Sequence, residues 1–302
     1  MNLILLFERD RIGSTARFAL GDHRADHIRQ VLRGEVGQTV RVGLLHGPQG
    51  LGRLVEVPPH PKGDASGQAA PAPPIVVECT FESGIESKPR VDLCLAIPRP
   101  RVLRRIFPEM TAMGVDRLIL FRARRTEKAY LSARILEPEH YNPLLYEGLM
   151  QSKTTRPPEV VVEPAFKPFV EDRLPSLIRD GLGFIAHPEA PPVEAPPVEA
   201  SPATAPGHEG QNSAPHHEAQ RPMGQASRGL ALGEITVPTD ARVVLVVGPE
   251  GGFIPYEVAR LEAQGLARVS LGPRILRVET ACVALLAAFS ARRRVSNPPS
   301  TD

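Results

Sequence analysis

The stretch that decides the fold is Arg242 to Arg294, which reads RVVLVVGPEGGFIPYEVARLEAQGLARVSLGPRILRVETACVALLAAFSARRR. Its first part is an apolar, β-branched run that breaks at Gly248-Pro249-Glu250-Gly251-Gly252. A helical pattern begins at Pro255, a residue favoured at the first helical position. This part predicts a strand, a glycine-rich loop and a helix.

The second part of the stretch repeats the same order. The predicted strand Ala267–Leu271 turns at Gly272-Pro273, and a helix begins at Val278. That helix is apolar on most sides, which predicts that it is largely buried. In open α/β sheets, ligands bind outside the carboxyl ends of the strands, where glycine lets the backbone come close and helix N-termini leave N–H groups unpaired. We therefore expect a small polar ligand here, although such loops can also be simple tight connections.

The loops do not follow the common nucleotide-binding patterns. There is no Gly-Lys-Ser/Thr and no spaced triple glycine opening a helix, so a nucleoside triphosphate is not expected.

Together the two loops resemble a known signature. Gly248–Phe253 and Leu271–Ala281, read as GPEGGF and LGPRILRVETA, are similar to the paired motifs of bacterial methyltransferases that modify N3 of a uridine in 16S rRNA. Those enzymes belong to the SPOUT class. The resemblance implies an α/β fold with a SPOUT-type parallel sheet and a C-terminal trefoil knot, S-adenosylmethionine (SAM) as cofactor, the small ribosomal subunit as partner, a homodimer and no metal.

The resemblance also implies roles for residues of the loops. SAM would be held by Val247, Gly248, Pro249, Glu250, Gly251, Gly252, Leu271, Gly272, Pro273, Ile275, Leu276 and Thr280. His187, at the end of an earlier predicted strand, either meets SAM or is an ordinary strand-end histidine.

The catalytic candidates are Arg274, Arg277 and Glu279. Either arginine could grip the RNA backbone or the uracil carbonyls and stabilise the N3 anion as it forms. Glu279 either orients Arg277 or helps to remove the N3 proton. Alternatively, it is an acidic residue that the dipole favours in the first turn of a helix.

Composition predicts one or two globular domains: the chain has 302 residues, 42% of them hydrophobic, and a net charge of +2. The apolar run Leu3–Phe7 is too short for a signal peptide or a membrane span and runs into charged residues, so we expect a cytoplasmic protein with no membrane partner. Cys79, Cys94 and Cys282 lie among apolar neighbours and are predicted to be reduced core residues.

Residues 1–82 predict a small β-rich domain. Strands are expected at Leu3–Phe7, Val40–Leu45, Leu51–Val57 and Ile75–Phe81, with a short helix at Asp22–Leu32. The segment His27 to Arg33 resembles one in the same methyltransferases, whose N-terminal domain is a PUA-like barrel that helps to hold RNA. Arg29 and Arg33 are four positions apart, a spacing that places them on one helical face. From there the two side chains could neutralise RNA phosphates. The alternative is a solvated basic face with His27 as a capping or core residue.

Residues 83–296 predict the second domain, in which strands and helices alternate as a parallel sheet requires. A strand at Val91–Ile97 is followed by a helix that Pro108 should kink, and then by a strand at Val115–Phe121. From Arg99 to Arg134 there are ten basic residues against three acidic ones. This excess indicates a polyanion-binding surface or a solvated helix face. The strand-end cluster favours RNA binding, and it consists of Arg122, Arg124 and Arg125 with Lys128.

The chain departs from the family pattern at two acidic positions. Met150 precedes Gln151, an implied RNA contact, and stands where the family has glutamate; Ala112 replaces a second glutamate. Either these glutamates are structural partners that change together, or substrate contact differs. A SPOUT enzyme with another target in tRNA or rRNA, and a non-catalytic RNA binder in ribosome assembly, therefore stay open.

The segment from about residue 188 to 228 contains nine prolines and no aromatic residue. Such a composition predicts a disordered insertion within the second domain.

Overall fold

A computed structural model of the chain describes residues 2–59, 72–84, 87, 90–179, 181–187, 230–231, 235–238 and 240–293. The predicted insertion at 188–228 lies outside the described residues. The described chain forms two sheets, one of five strands and one of seven. The strands of the first sheet lie between residues 4 and 81, and those of the second between residues 91 and 270.

The N-terminal sheet is mostly antiparallel and has the order β1-β3-β4-β5-β2. Its strands are β1 (Ile4–Leu6), β2 (Arg17–Leu20), β3 (Thr39–Leu44), β4 (Gln49–Glu56) and β5 (Ile75–Phe81). The short helix α1 (His23–Asp26) continues as one π-helical turn, His27–Val31. β2 is absent from the sequence-based prediction, because its run of four residues is too short for alternation to stand out.

A buried arginine organises this domain. Arg24 is 2% exposed, donates to the backbone oxygen of Leu5 at 2.6 Å and to the carboxylate of Asp10 at 2.7 Å, and also pairs with Asp22. Its guanidinium lies 4.7 Å from the centre of the Phe7 ring. Burial of this charge is tolerated because every side of it meets a hydrogen-bond acceptor or a ring.

The C-terminal sheet has the order β10-β12-β9-β11-β6-β7-β8, and every neighbouring pair is parallel. Its strands are β6 (Val91–Ala96), β7 (Arg117–Phe121), β8 (Glu159–Glu163), β9 (Gly181–Ala186), β10 (Leu230–Ala231), β11 (Arg242–Val247) and β12 (Ala267–Ser270). The prediction of a parallel α/β sheet is confirmed. Strands buried on both faces need near-continuous apolar sequence, as Val243–Val247 has.

Helices cover both faces of this sheet. One face carries α2 (Pro100–Ala112), α3 (Pro138–Ser152) and α7 (Val278–Arg293), and the other carries α4 (Phe166–Pro168), α5 (Leu174–Ile178) and α6 (Pro255–Ala263). A π-helical segment, Phe169–Arg173, joins α4 to α5. Pro108 lies inside the unbroken α2. α7 buries only part of its surface, since Ala287 is exposed and Ala281, Ala284 and Ala288 are half-buried.

An ionic network closes the amino edge of the sheet. Asp92 is fully buried and receives hydrogen bonds from Arg117 at 2.5 Å and from Arg242 at 2.7 Å. Arg242 also pairs with Asp116 at 3.0 Å. These residues begin or precede strands β6, β7 and β11, so the network fixes their amino ends, opposite the edge where the glycine loops lie.

The two domains join through β1 and the end of α3. The N–H groups of Asn2 and Leu3 donate to the carbonyl of Met150 at 3.0 and 3.1 Å. Met150 is 6% exposed and packs in an apolar cluster with Leu3, Leu5 and Leu149. A glutamate at this position would bury a carboxylate among these side chains, and so methionine suits this junction.

The three cysteines are free and buried, as the sequence predicts. Burial raises the pKa of Cys79 and of Cys282 to about 12, which makes both thiols unreactive at neutral pH. No helix in the described parts of the chain combines the length and apolarity needed to cross a bilayer.

Candidate functional site

The carboxyl ends of three neighbouring strands meet at one edge of the large sheet. β9 lies between β11 and β12, with Ile185 opposite Val246 and Ala186 opposite Val269. His187 follows β9, and its N–H donates to the carbonyl of Val269 at 3.1 Å. The two glycine loops, which follow β11 and β12, therefore start side by side with His187 at this edge. The structure brings together the segments that the sequence assigns to SAM.

The first loop is anchored from both sides. Glu250 accepts a hydrogen bond from the N–H of Arg99 at 3.0 Å, at the start of α2. Arg125 donates to the carbonyl of Gly251 at 2.5 Å. Gly252 adopts a φ of 70°, a left-handed conformation that favours glycine, and its N–H closes a turn onto the carbonyl of Pro249 at 2.8 Å. The Glu250 side chain thus ties this loop to α2.

The second loop is open. Gly272 has a φ of 101°, and a side chain built there would meet nothing within 4 Å. From Pro273 to Arg277 the chain is exposed, and Ile275 is 89% exposed although it is a large apolar residue. An accessible backbone beside uncovered apolar side chains fits a ligand that combines a flat apolar ring with polar groups. The adenosyl group of SAM has this character, so the residues fit the implied cofactor.

The three catalytic candidates lie on this loop and at the start of α7. Arg274 and Arg277 are exposed, and Glu279 is largely buried, with its side chain 17% exposed. The partner of Glu279 in the structure is Arg105 of α2, at 2.9 Å. Burial, followed by the nearby charge of Glu279, raises the pKa of Glu109. Sequence reasoning missed Arg105, although it belongs to the basic stretch 99–134.

The arginines that follow β7 lie next to the first loop. The N–H of Arg124 donates to the carboxylate of Glu257 at 2.7 Å, and Glu257 also accepts from the N–H of Ile254 at 3.0 Å. Glu257 is 2% exposed, so it joins the end of β7 to the start of α6. Arg122 and Arg124 line a cavity of about 310 Å³ between α4 and α6.

The predicted RNA-contacting residues of the N-terminal domain differ in accessibility and in conformation. Arg29 is nearly buried: it donates to the carbonyl of Pro58 at 3.0 Å and to that of Pro73, and it lies 3.6 Å from Asp26. This geometry disfavours a phosphate contact by Arg29. The prediction that Arg29 and Arg33 share a helical face is wrong, because the helix ends first and Arg33 has a left-handed φ of 49°.

The other two predicted contacts have different surroundings. Burial lowers the pKa of His27, whose Nε2 atom is inaccessible and has no hydrogen-bond partner among the described residues. Gln151 is exposed, while its carbonyl accepts a hydrogen bond from the Asn2 side chain at 2.9 Å. Ala112, where the family has glutamate, is exposed near the end of α2.

One group of potential metal ligands exists among the described residues. Glu137, Glu139 and His140 lie close together around the start of α3. Exposed acidic groups often gather without an ion, and we assign this group no role in the site.

A family model described as an RNA methyltransferase domain matches residues 86–202 and 208–290. Ribosomal RNA small subunit methyltransferase E of Treponema pallidum is 22% identical over 308 aligned residues, covering 99% of this chain and 96% of that protein. The protein of the same name from Bacillus subtilis is 46% identical over 55 residues, 18% of this chain and 22% of its own length.

Solved structures agree in fold. Ribosomal RNA small subunit methyltransferase E from Neisseria gonorrhoeae, bound to SAM, has a TM-score of 0.64 at 18% identity and covers 96% of this chain and 97% of its own. A structure described as a probable rRNA methyltransferase from Porphyromonas gingivalis has a TM-score of 0.63 at 19% identity, with 97% and 100% covered.

Proposed function

The chain belongs to the RNA methyltransferase domain family, and from this premise we propose that it methylates N3 of a uridine in 16S rRNA of the small ribosomal subunit, with SAM as the methyl donor. The observation that carries the proposal is the meeting of the two glycine loops and His187 at the carboxyl ends of β9, β11 and β12. The Neisseria relative is a small-subunit methyltransferase bound to SAM, which supports both the cofactor and the substrate.

The two loops hold the cofactor. SAM supplies a methyl group activated on a sulfonium. The main chain of Gly248–Gly252 and Leu271–Leu276 would hold the adenosyl part, because glycine backbone with open space beside it, as at Gly252 and Gly272, allows the closest approach. Ile275 and Leu276, both exposed apolar residues, would supply apolar contacts to the adenosyl group. Thr280, the remaining candidate, is exposed in the first turn of α7.

The protein must also orient the uracil and remove its N3 proton. In-line placement of the reacting atoms can lower the activation barrier of such a transfer by about 7–11 kcal/mol. Arg274 or Arg277 binds a uracil carbonyl or a neighbouring phosphate, since both are exposed cations beside the loop. The N3 anion that forms is then stabilised electrostatically.

Glu279 is the candidate group for the proton. Its contact with Arg105 at 2.9 Å fixes the carboxylate at the start of α7. A fixed carboxylate can accept the proton from N3 directly or through one water. In the alternative role, it orients Arg277.

The knot and the dimer follow from the family resemblance and are part of the proposal. In a trefoil knot, the chain would cross itself between the two loops and enclose the cofactor. The exposed Ala287 and the half-buried alanines of α7 give an apolar surface that a second copy would cover. Light scattering at micromolar concentration tests the dimer.

The departures at Met150 and Ala112 bear on the target nucleotide. Met150 lies in the apolar junction between domains, which supports a structural substitution. We therefore keep uridine N3 as the target and leave another RNA nucleotide as an outcome of the test.

The test is methyl transfer from labelled SAM to small ribosomal subunits that lack the modification, with naked 16S rRNA and tRNA in parallel. Nuclease digestion and mass spectrometry should find 3-methyluridine in the subunit RNA. Label in tRNA or in another nucleoside would reject the proposed target.

Cofactor binding is tested separately by calorimetry. Gly272→Ala forces a side chain into a left-handed conformation, whereas Gly21→Ala, at an open position without positive φ, is its matched control. SAM affinity should fall only in the Gly272 variant. Equal affinity in both variants would remove the second loop from the cofactor site.

A further inference from the structure

The cavity of about 310 Å³ between α4 and α6 has no role in the cofactor site described above. It lies on the face of the sheet that carries α4–α6, at the carboxyl end of β7. Its polar walls come from Arg122 and Arg124 after β7, Lys167 of α4 and Arg260 of α6. Small-ligand pockets begin at about this volume, so the cavity has room for one compact group and not for a helix.

The charges of the walls are unbalanced. Two carboxylates, Glu171 and Glu257, face the four cations. The Glu257 carboxylate already accepts hydrogen bonds from two backbone N–H groups, as described above. Glu171 pairs with Arg260 at 2.6 Å and with Lys167 at 3.8 Å. The cavity therefore keeps a net positive charge, to which Arg122 and Arg124 contribute most directly.

Arg122 shows an unmet hydrogen-bonding need at the cavity. Its Nε atom is inaccessible to solvent and has no hydrogen-bond partner among the described residues. A buried, unsatisfied donor on a charged group is costly, and an anion in the cavity would offset part of this cost by pairing with the guanidinium charge.

Aromatic residues give the cavity a second kind of contact. Tyr256 on its rim is 62% exposed, and Phe166 is half-buried in its wall. Exposed rings beside arginines are typical of surfaces on which single-stranded RNA stacks its bases. A site for a free phosphate would need only the cations, so the aromatic residues favour a ligand that also carries a base.

The cavity adjoins the first glycine loop through Ile254, a lining residue that directly follows Phe253. The ring of Phe121 stacks on that of Phe169, with centroids 4.1 Å apart and an angle of 7°. Phe253, the last residue of the GPEGGF motif, lies parallel to Phe121 at 6.3 Å. A ligand in the cavity would therefore lie next to the first glycine loop.

We propose that this cavity is a second RNA subsite, which binds a single unpaired nucleotide of the substrate by its phosphate and stacks its base on Tyr256. The proposal rests on the proposed function, since it assumes an RNA substrate. It adds a contact outside the catalytic loops, and it would set the position of the RNA strand before methyl transfer.

The test uses the full chain and measures RNA affinity, SAM affinity and methyl transfer separately. The variants are Arg124→Ala with Lys167→Ala, and Tyr256→Ala with Tyr256→Phe as its aromatic control. Arg134→Ala removes an exposed cation from the opposite side of the sheet and is the matched charge control. Filter binding to unmodified 16S rRNA is measured between 50 and 200 mM salt, concentrations chosen because phosphate contacts depend strongly on salt.

The double cation variant should bind RNA about tenfold more weakly, with the salt slope shallower by about one to two units. Tyr256→Ala should lose about tenfold, and Tyr256→Phe should keep wild-type affinity, because stacking needs only the ring. SAM binding should be unchanged in all of them.

Wild-type RNA affinity and salt slope in the cation and Tyr256→Ala variants would overturn the proposal. So would saturable micromolar binding of free uridine monophosphate that these substitutions abolish while RNA affinity stays normal, since the cavity would then serve a free nucleotide. If RNA affinity falls as expected but no 3-methyluridine forms in the wild type, the subsite stands and only the proposed reaction fails.

Discussion

Replacing Glu257 with alanine would separate the first glycine loop from the end of β7. The carboxylate is 2% exposed and accepts the N–H of Arg124 at 2.7 Å and that of Ile254 at 3.0 Å. Each donor left without a partner costs about 1–3 kcal/mol. Both hydrogen bonds are only partly buried, so we use the lower half of this range for each donor. We expect the free energy of unfolding to fall by about 3 kcal/mol in total.

A loss of this size is measurable by thermal unfolding. For a domain of about 150–250 residues, 1 kcal/mol shifts the melting temperature by about 2–4 °C, and Glu257→Ala should therefore lower it by about 6–12 °C. Saturating SAM should restore part of the shift if the loop binds the cofactor, because a ligand of the folded state stabilises it.

Two controls sharpen the test. Glu139→Ala removes a carboxylate that is 76% exposed and should leave the melting temperature within about 2 °C. Glu257→Gln keeps the size but can accept only one of the two hydrogen bonds, so its loss should be intermediate. If the melting temperature of Glu257→Ala equalled that of the Glu139→Ala control, the bridging role of the Glu257 carboxylate would be refuted.

Three further predictions concern the core and the catalytic contacts. Asp92→Ala leaves two arginines unpaired at the amino edge of the sheet and should cost about 3–5 kcal/mol in urea unfolding; a loss below about 1 kcal/mol would contradict this. Cys79 and Cys282 should resist thiol reagents at pH 8 in the folded protein. Because burial raises both pKa values from 9.0 to about 12, the folded state keeps protons that the unfolded state releases, and stability should fall as pH rises from 9 to 12. Glu279→Gln should lower kcat by about 10²–10⁴ if the carboxylate takes the proton. Arg105→Ala should also lower kcat and change stability by less than about 1 kcal/mol, since this ion pair is half exposed; wild-type kcat in both variants would exclude the pair from the reaction.

The sequence by itself determined the alternation of strands and helices in the second domain and the position of its two glycine loops. These features depend on local chemistry. A β-branched run such as Val243–Val247 extends, glycine permits a positive φ, and Pro255 starts a helix. The paired motifs were enough to identify the family resemblance, and the family match agrees with it.

Tertiary structure alone decided which of these residues meet. Arg105 and Glu279 are 174 positions apart, and the N–H of Arg124 meets a carboxylate 133 positions away. No periodicity encodes such pairs, because they depend on the strand order β9-β11-β6-β7 and on the helices packed over it. The same reason explains Arg29: its spacing suggests a free basic residue, whereas the carbonyl groups of a distant loop bury it. Local patterns determine the elements, and long-range packing determines which side chains remain free to bind a ligand.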